Sequence, residues 1–317
     1  MMQEPNRILV VKLGALGNVI LSLGPFASIR RHHAGAHITL LTTSSFAPWL
    51  GRSPWFDTVW TDRRLDWWDL PGWLRLRRRL IDGHFDRIYD LQTSGHTGRY
   101  FRLLPRRNRP DWSGIVPGCS LPDRDPNRDR LHDADRQFGQ LRQAGVMERE
   151  PVDLSWTDAD IRSLALPGRF ALLAPGSAPH RLLKRWPIDR YRVLAGMLAA
   201  RGLTPIVVGT PPEKPLAQAI EGAIDVTGRT DLAQLTSLAR AATVAIGNDT
   251  GPMHLIAAAG CPAVVLFSRD SDPALCAPRG ARVTTLRRHD LSELDPATVM
   301  DAVTAILPAQ AGALVAG

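Results

Sequence analysis

Val244-Ala245-Ile246-Gly247-Asn248-Asp249-Thr250-Gly251-Pro252-Met253-His254, running on into Leu255-Ile256-Ala257-Ala258-Ala259-Gly260, reads as strand, tight turn and helix. The apolar run ends at a glycine, and Asp249 and Thr250 form a cap-type pair. Gly251 lets the backbone approach a ligand, and Pro252 suits a first helical turn. Unpaired N–H groups and the positive end of the helix dipole would then point beyond the strand, where an α/β sheet commonly holds a phosphate. His254 falls one turn in. An ordinary capped helix after a buried strand would use the same residues, so the reading rests on what surrounds them.

Outward from this stretch, apolar β-branched runs alternate with helix-type patterns, the signature of parallel βαβ units. In the first half we expect strands at 7–12, 37–42, 58–60, 87–91 and 114–116, with a helix over 19–32. The second half repeats the scheme with strands at 170–174, 205–208, 223–226, 243–246 and 263–267. Its helices are expected over 188–201, 213–220, 232–241 and 253–259. An α/β fold of two Rossmann-like domains with parallel sheets follows, residues 1–160 and 161–317, with a last helix near 296–307 that could pack back on the first domain. Residues 99–136, rich in Arg, Asp and Pro, read as a long irregular connection. The small-residue tail 309–317 reads as weakly ordered.

The 317 residues suffice for two cores, and 44% hydrophobic with 22% charged residues is a globular composition. No apolar run approaches the roughly 18 residues of a spanning helix, and the N-terminus shows no signal-peptide pattern. A cytoplasmic location is the expectation, extending to the inner face of the cytoplasmic membrane. Three cysteines without metal-ligand spacing argue against a disulfide framework or a zinc site.

Charge is uneven. Residues 1–150 carry 23 Lys+Arg against 16 Asp+Glu, a net +7, and residues 151–317 carry 16 against 15, a net +1. The excess is almost wholly arginine, which suits two-pronged recognition of phosphate or carboxylate and fits an acidic partner. Six of the nine tryptophans lie between Trp49 and Trp73, just ahead of Arg75, Arg77, Arg78 and Arg79. A short helix from Pro71 to Ile81 could offer Trp, Leu and Arg to an anionic interface, or turn a Trp/Leu stripe to the core with solvated arginines.

Three further strand-to-turn crossings carry chemistry. Lys12-Leu13-Gly14-Ala15-Leu16-Gly17-Asn18 is a glycine-bearing turn that lacks both the dinucleotide fingerprint and the Walker loop. It aims Asn18 at the crevice. Ala174-Pro175-Gly176-Ser177 precedes His180-Arg181-Leu182-Leu183-Lys184-Arg185-Trp186-Pro187, which supplies donors for a diphosphate and cations for the charge that builds as it leaves. Lys184 stands out among only three lysines in the chain. After Val207-Val208-Gly209-Thr210, Glu213 could accept ribose hydroxyls or simply favour a helix start.

Lys184-Arg185-Trp186-Pro187, Asp249-Thr250-Gly251 with His254, Gly14 to Asn18, and Tyr89-Asp90-Leu91-Gln92 together resemble glycosyltransferase family nine, the lipopolysaccharide heptosyltransferases, over nearly the whole chain. The resemblance implies a GT-B fold of two facing Rossmann-like domains, the first for the acceptor and the second for an ADP-activated heptose. It implies that Gly176, Ser177 and Lys184 meet the diphosphate, that Asp249, Thr250 and Gly251 meet phosphate and sugar, that His254 supports that loop and that Glu213 faces the ribose. The function it implies is inverting transfer of a heptose or related sugar from the nucleotide-sugar donor to an acidic glycolipid acceptor. No cofactor beyond that donor and no metal is expected; Asp123-Arg124-Asp125 and Asp270-Ser271-Asp272 only imitate a metal-binding pair.

One departure matters. The family's general base is an aspartate where this chain has Asn18, and an amide cannot take a proton at neutral pH. Asp90, which would also serve as a loop cap, and His96 are the replacements in view, with an acidic group of the acceptor as a third. A non-catalytic sugar-nucleotide binder and a sugar-nucleotide epimerase or hydrolase are the alternative functions; a nucleic-acid binder lacks any reading motif.

Overall fold

A computed structural model describes residues 5–307. The chain divides into two compact units, Met1–Thr157 and Asp158–Gly317. The first holds strands β1 (Arg7–Val11), β2 (His37–Thr43), β3 (Thr58–Asp62), β4 (Arg87–Asp90), β5 (Asp111–Gly114) and β6 (Leu121–Pro122). They form one parallel sheet in the order β3-β2-β1-β4-β5-β6. The second holds β7 (Phe170–Ala174), β8 (Thr204–Val207), β9 (Ile224–Asp225), β10 (Val244–Asn248), β11 (Ala263–Phe267) and β12 (Val283–Arg287), ordered β12-β11-β10-β7-β8-β9 and again parallel. Counted from the first strand of each unit, both orders are 3-2-1-4-5-6, the doubly wound nucleotide fold. The order reverses between β1 and β4 in one unit and between β7 and β10 in the other, and ligands of such sheets bind beyond the carboxyl ends of those strands.

The central strands have no alternation because both faces are covered. Phe170–Ala174, Val244–Asn248 and Ala263–Phe267 are buried at every position, as parallel strands between helices must be. Helix Ile188–Ala199 sets Tyr191, Leu194 and Leu198 into this core, and Trp186 fills it from the preceding turn. In the first unit Trp73, Tyr100, Phe101 and Trp112 pack with Leu9, Val11 and Ile88.

Several expectations need correction. Residues 99–136 are not one irregular connection: they include most of helix Gly95–Leu103, strand β5 and the start of helix Asp133–Gln143. The strand expected at 114–116 lies at Asp111–Gly114, pairing with β4 through Ile88↔Trp112. The helix expected over 19–32 is two, Leu16–Ile20 and Leu23–His32, interrupted at Leu21 and Ser22. Pro25, which has no N–H to donate, sits in the first turn of the second piece, where that loss is tolerated. Strand β12 was not expected at all. The last helix, Pro296–Ile306, buries Val299, Met300 and Val303 in the core of the second unit. The tail 309–317 lies outside the described residues.

Candidate functional site

In the second unit the candidate residues gather at the carboxyl ends of β7 and β10. Lys184, at the end of the 3-10 turn Leu182–Lys184, places its Nζ 2.5 Å from Asp249 Oδ2. Both are largely shielded, at 16% and 6% side-chain exposure, so the pair is only weakly screened. Burial by itself would raise the Asp249 carboxyl; the Lys184 ammonium against it outweighs that and holds the group at about 2. The carboxylate is thus charged at any physiological pH and keeps the ammonium aimed at the crevice. His254 Nε2 stands 3.9 Å from Asp249 Oδ1, beyond hydrogen-bond reach, and its buried Nδ1 has no partner among the described residues.

Thr250 is the N-cap residue of helix Gly251–Ala258 in extended geometry, and its hydroxyl makes no capping bond. In the first turn of this helix Pro252 has no N–H and Met253 N donates to Thr250 O at 3.1 Å, which leaves the Gly251 N–H beside the lysine as the donor an anionic oxygen can use. Opposite, the Gly176-Ser177 loop is held by Asn248. Its Nδ2 donates to Pro175 O (2.7 Å) and Gly176 O (3.2 Å), and its Oδ1 accepts from Trp186 N and Tyr191 Oη, each at 3.0 Å. Arg185 adds two donations, Nε to Ser177 Oγ at 3.0 Å and Nη2 to Ser177 O at 3.2 Å. Neither Asn248 nor Arg185 emerged as a site residue from sequence. The signal for Asn248 was an amide closing an otherwise apolar strand.

Glu213 explains Gly176. A Cβ at position 176 would fall 1.5 Å from Glu213 Oε1, so the loop and the carboxylate touch only because the residue is glycine. Glu213 Oε2 accepts from Thr210 N (2.7 Å) and Oγ1 (2.8 Å), closing a capping box; the carboxylate caps a turn and borders the crevice loop at once.

The first unit's crevice is built differently. Gly14, at φ +110°, turns the chain after β1, and Asn18 lies exposed on helix Leu16–Ile20. Asp90 ends β4 fully inside. Its Oδ1 accepts from Gln92 N (3.1 Å) and Thr93 N (3.0 Å), and its Oδ2 accepts from Thr97 Oγ1 (2.8 Å). Burial dominates these bonds and raises its carboxyl to about 6. His96, on helix Gly95–Leu103, packs between Trp73 and Tyr100 with its Nε2 buried and unpartnered among the described residues, and burial lowers its pKa. Lys12, unremarked in the sequence reading, is buried at the crevice floor, donates to Leu91 O at 2.9 Å, and is pushed down to about 8 by burial against the pull of Asp133 and Asp90. Its signal was a rare lysine at the end of an apolar strand. Arg64 reaches the same turn, Nη2 to Leu13 O at 2.7 Å.

Two nucleotide-type sheets make up the chain, and at the switch point of the second lie a lysine and a helix start. The family model for glycosyltransferase family 9 (heptosyltransferase) matches residues 73–298, and the chain belongs to that family. Lipooligosaccharide heptosyltransferase 2 of Haemophilus influenzae is 29% identical over 113 residues, 33% of this chain and 32% of that protein. The lipopolysaccharide core heptosyltransferase OpsX of the same organism is 21% identical over 287 residues, 84% of this chain and 80% of its relative. Among solved structures, the heptosyltransferase WaaC of E. coli with ADP is similar at a TM-score of 0.72 and 20% identity, covering 94% of this chain and 99% of that one. The expected α/β, GT-B-type fold is the fold observed.

Proposed function

We propose that the chain transfers a heptose, or a closely related sugar, from an ADP-sugar to an acidic glycolipid of the lipopolysaccharide type, with inversion and without a metal. The observation that carries this reading is the Lys184–Asp249 pair at the mouth of the second unit's switch point, beside the start of helix Gly251–Ala258. The ADP bound by WaaC supports the choice of nucleotide. As the anomeric C–O bond breaks, charge gathers on the departing diphosphate. The Lys184 ammonium, the Gly251 N–H and the positive end of the helix dipole offset it, which is the work a metal would otherwise do. On the opposite wall Glu213 Oε1 offers an acceptor for ribose, and the Ser177 hydroxyl, which donates to Arg181 O at 2.9 Å, turns to the diphosphate.

Inversion requires a single displacement in which the acceptor hydroxyl gives up its proton. Asn18 cannot accept it, Asp90 has both oxygens engaged, and the His96 Nε2 is enclosed by aromatic rings. We therefore assign the proton to an acidic group of the acceptor itself, with Arg64 and the other first-half arginines orienting it. The test is release of ADP from ADP-heptose with a phosphorylated glycolipid acceptor, in chelator, with the product anomer determined by NMR. Turnover with inversion is expected, and Asp90→Asn should retain the wild-type pH–rate profile. Donor binding without turnover on any acidic acceptor would point instead to the non-catalytic relative.

A further inference from the structure

The described residues expose ten large apolar side chains, and four of them crowd into one short stretch: Trp67 (75%), Trp68 (64%), Leu70 (65%) and Leu74 (57%). Scattered surface hydrophobes are ordinary, but a contiguous apolar patch with charged borders marks a binding surface. We propose that this face docks the first unit on an anionic lipid bilayer.

The local structure presents the patch and holds it. Trp73 turns inward and its Nε1 donates to Asp66 O at 2.8 Å, while Asp69 caps helix Leu70–Asp82 by accepting from Gly72 N. The loop is thereby tied to the core at both sides of the two exposed rings, which brace each other edge to face at 5.5 Å. Tryptophan at the lipid–water boundary sinks its ring while its N–H stays with water, and neighbouring leucines deepen the contact.

Charge selects an anionic surface over a neutral one. Arg63, Arg75 and Arg79 line a cavity of about 490 Å³ directly beside the patch, and none has a carboxylate partner among the described residues. Arg79 is fixed over the Trp60 ring at 4.2 Å, so its guanidinium is held in place for a headgroup phosphate. The acids nearby are mostly committed: Asp62 accepts from Tyr100 Oη and Arg64 N, Asp69 is the cap, and Asp82 lies 3.5 Å from Arg78. Asp62, in the cavity wall, keeps its charge, yet over residues 60–83 six arginines face four aspartates, a net +2.

The loop follows β3 at the carboxyl edge of the sheet, and Arg64 bonds it to the Gly14 turn. A docked face would bring the acceptor crevice to the surface where a glycolipid resides; this consequence rests on the transfer reading, whereas the docking itself does not.

The experiment is co-sedimentation of the full chain with phosphatidylcholine vesicles, with and without phosphatidylglycerol, in the absence of donor and acceptor. Binding to the anionic vesicles that weakens with salt is expected. The double variant Trp67→Ser/Trp68→Ser should lose at least about tenfold in partitioning while keeping the wild-type urea denaturation midpoint, which reports that the first unit is folded. Arg63→Gln, Arg75→Gln and Arg79→Gln should each weaken the preference for anionic lipid by about fivefold. Undiminished binding by the tryptophan variant overturns the proposal. So does a wild-type chain that ignores vesicles and forms a dimer dissolved by the same substitutions, since the face would then join two copies. Failure of ADP binding in the wild type strikes only the transfer reading.

Discussion

The two switch points occupy the same place in the same strand order, yet their aspartates are held in opposite ways. Asp249 follows β10, lies against a lysine and is kept near 2; Asp90 ends β4, receives only neutral N–H and O–H donors and is raised to about 6. Each has a nearby lysine, but Lys184 touches its carboxylate while Lys12 donates a hydrogen bond to a carbonyl. The fold therefore sets where a polar group is placed, and the identity of its nearest partner decides whether it becomes a ligand-facing charge or an internal cap. The second unit's crevice holds a lysine–carboxylate ion pair. The first unit's crevice leaves its charge to the arginines around it.

The sharpest way to break this contrast is to remove Lys184. Lys184→Ala should lower kcat/KM for transfer by roughly 10²–10³-fold, the scale of losing one charge-stabilising group, and weaken ADP binding by calorimetry. Lys184→Arg should rescue little, because a bulky planar fork cannot take the place of a compact ammonium 2.5 Å from Asp249. Wild-type rates in Lys184→Ala would leave the two crevices functionally alike.

Asn248 has the next largest effect. Asn248→Leu strands two loop carbonyls and the donors of Trp186 and Tyr191, and about 3 kcal/mol of stability should go, read from urea denaturation. Its counterpart in the first unit is Asp90 itself, so an equal loss on Asp90→Asn would show both units depend on the same device. A smaller step is Gly176→Ala, which forces the Glu213 carboxylate out of its capping box. A cost of about 1–2 kcal/mol is expected, and Gly176→Ala in a Glu213→Ala background should cost markedly less.

Much of this was legible beforehand, for reasons specific to each element. The β7, β10 and β11 runs are apolar throughout and end at turn residues, so periodicity, length and β-branching agree. Asp249, Thr250, Gly251 and Lys184 could be found because strand, turn and cation follow in order, although only the fold brings positions 65 residues apart to 2.5 Å. Helix Gly95–Leu103 and strand β5 were hidden by arginine and proline, whose polarity masks an apolar face limited to Tyr100, Phe101 and Trp112. Strand β12 was missed because it ends the sheet with no fully buried residue, so its Val-Thr-Thr-Leu-Arg carries no continuous apolar run despite its β-branched residues. Asn18 was conspicuous in sequence and is exposed in the structure; the burial of Lys12 depends on Asp133 and Leu91, too distant in the chain to be read from β1.

The finest test separates the aspartates by pH. A carboxyl whose folded pKa is depressed adds stability above its unfolded value of 3.8, and that stability drains as pH falls toward 2; Asp249 is of this kind. One whose folded pKa is raised does the reverse: for Asp90 the folded state gains as pH falls from 6 to 3.8, and the cost of ionising the buried group is complete above 6. Each contributes on the order of 2 kcal/mol, with opposite sign and in adjoining windows. Through these two groups alone, stability should climb on acidification to about pH 4 and then fall. In difference curves from chemical denaturation, Asp90→Asn should remove the climb and leave the fall, and Asp249→Asn should do the opposite. A pair of mutants whose differences from wild type share one window would mean that both aspartates sit in the same electrostatic environment, and the distinction between a charged crevice and a capped one would have no physical basis.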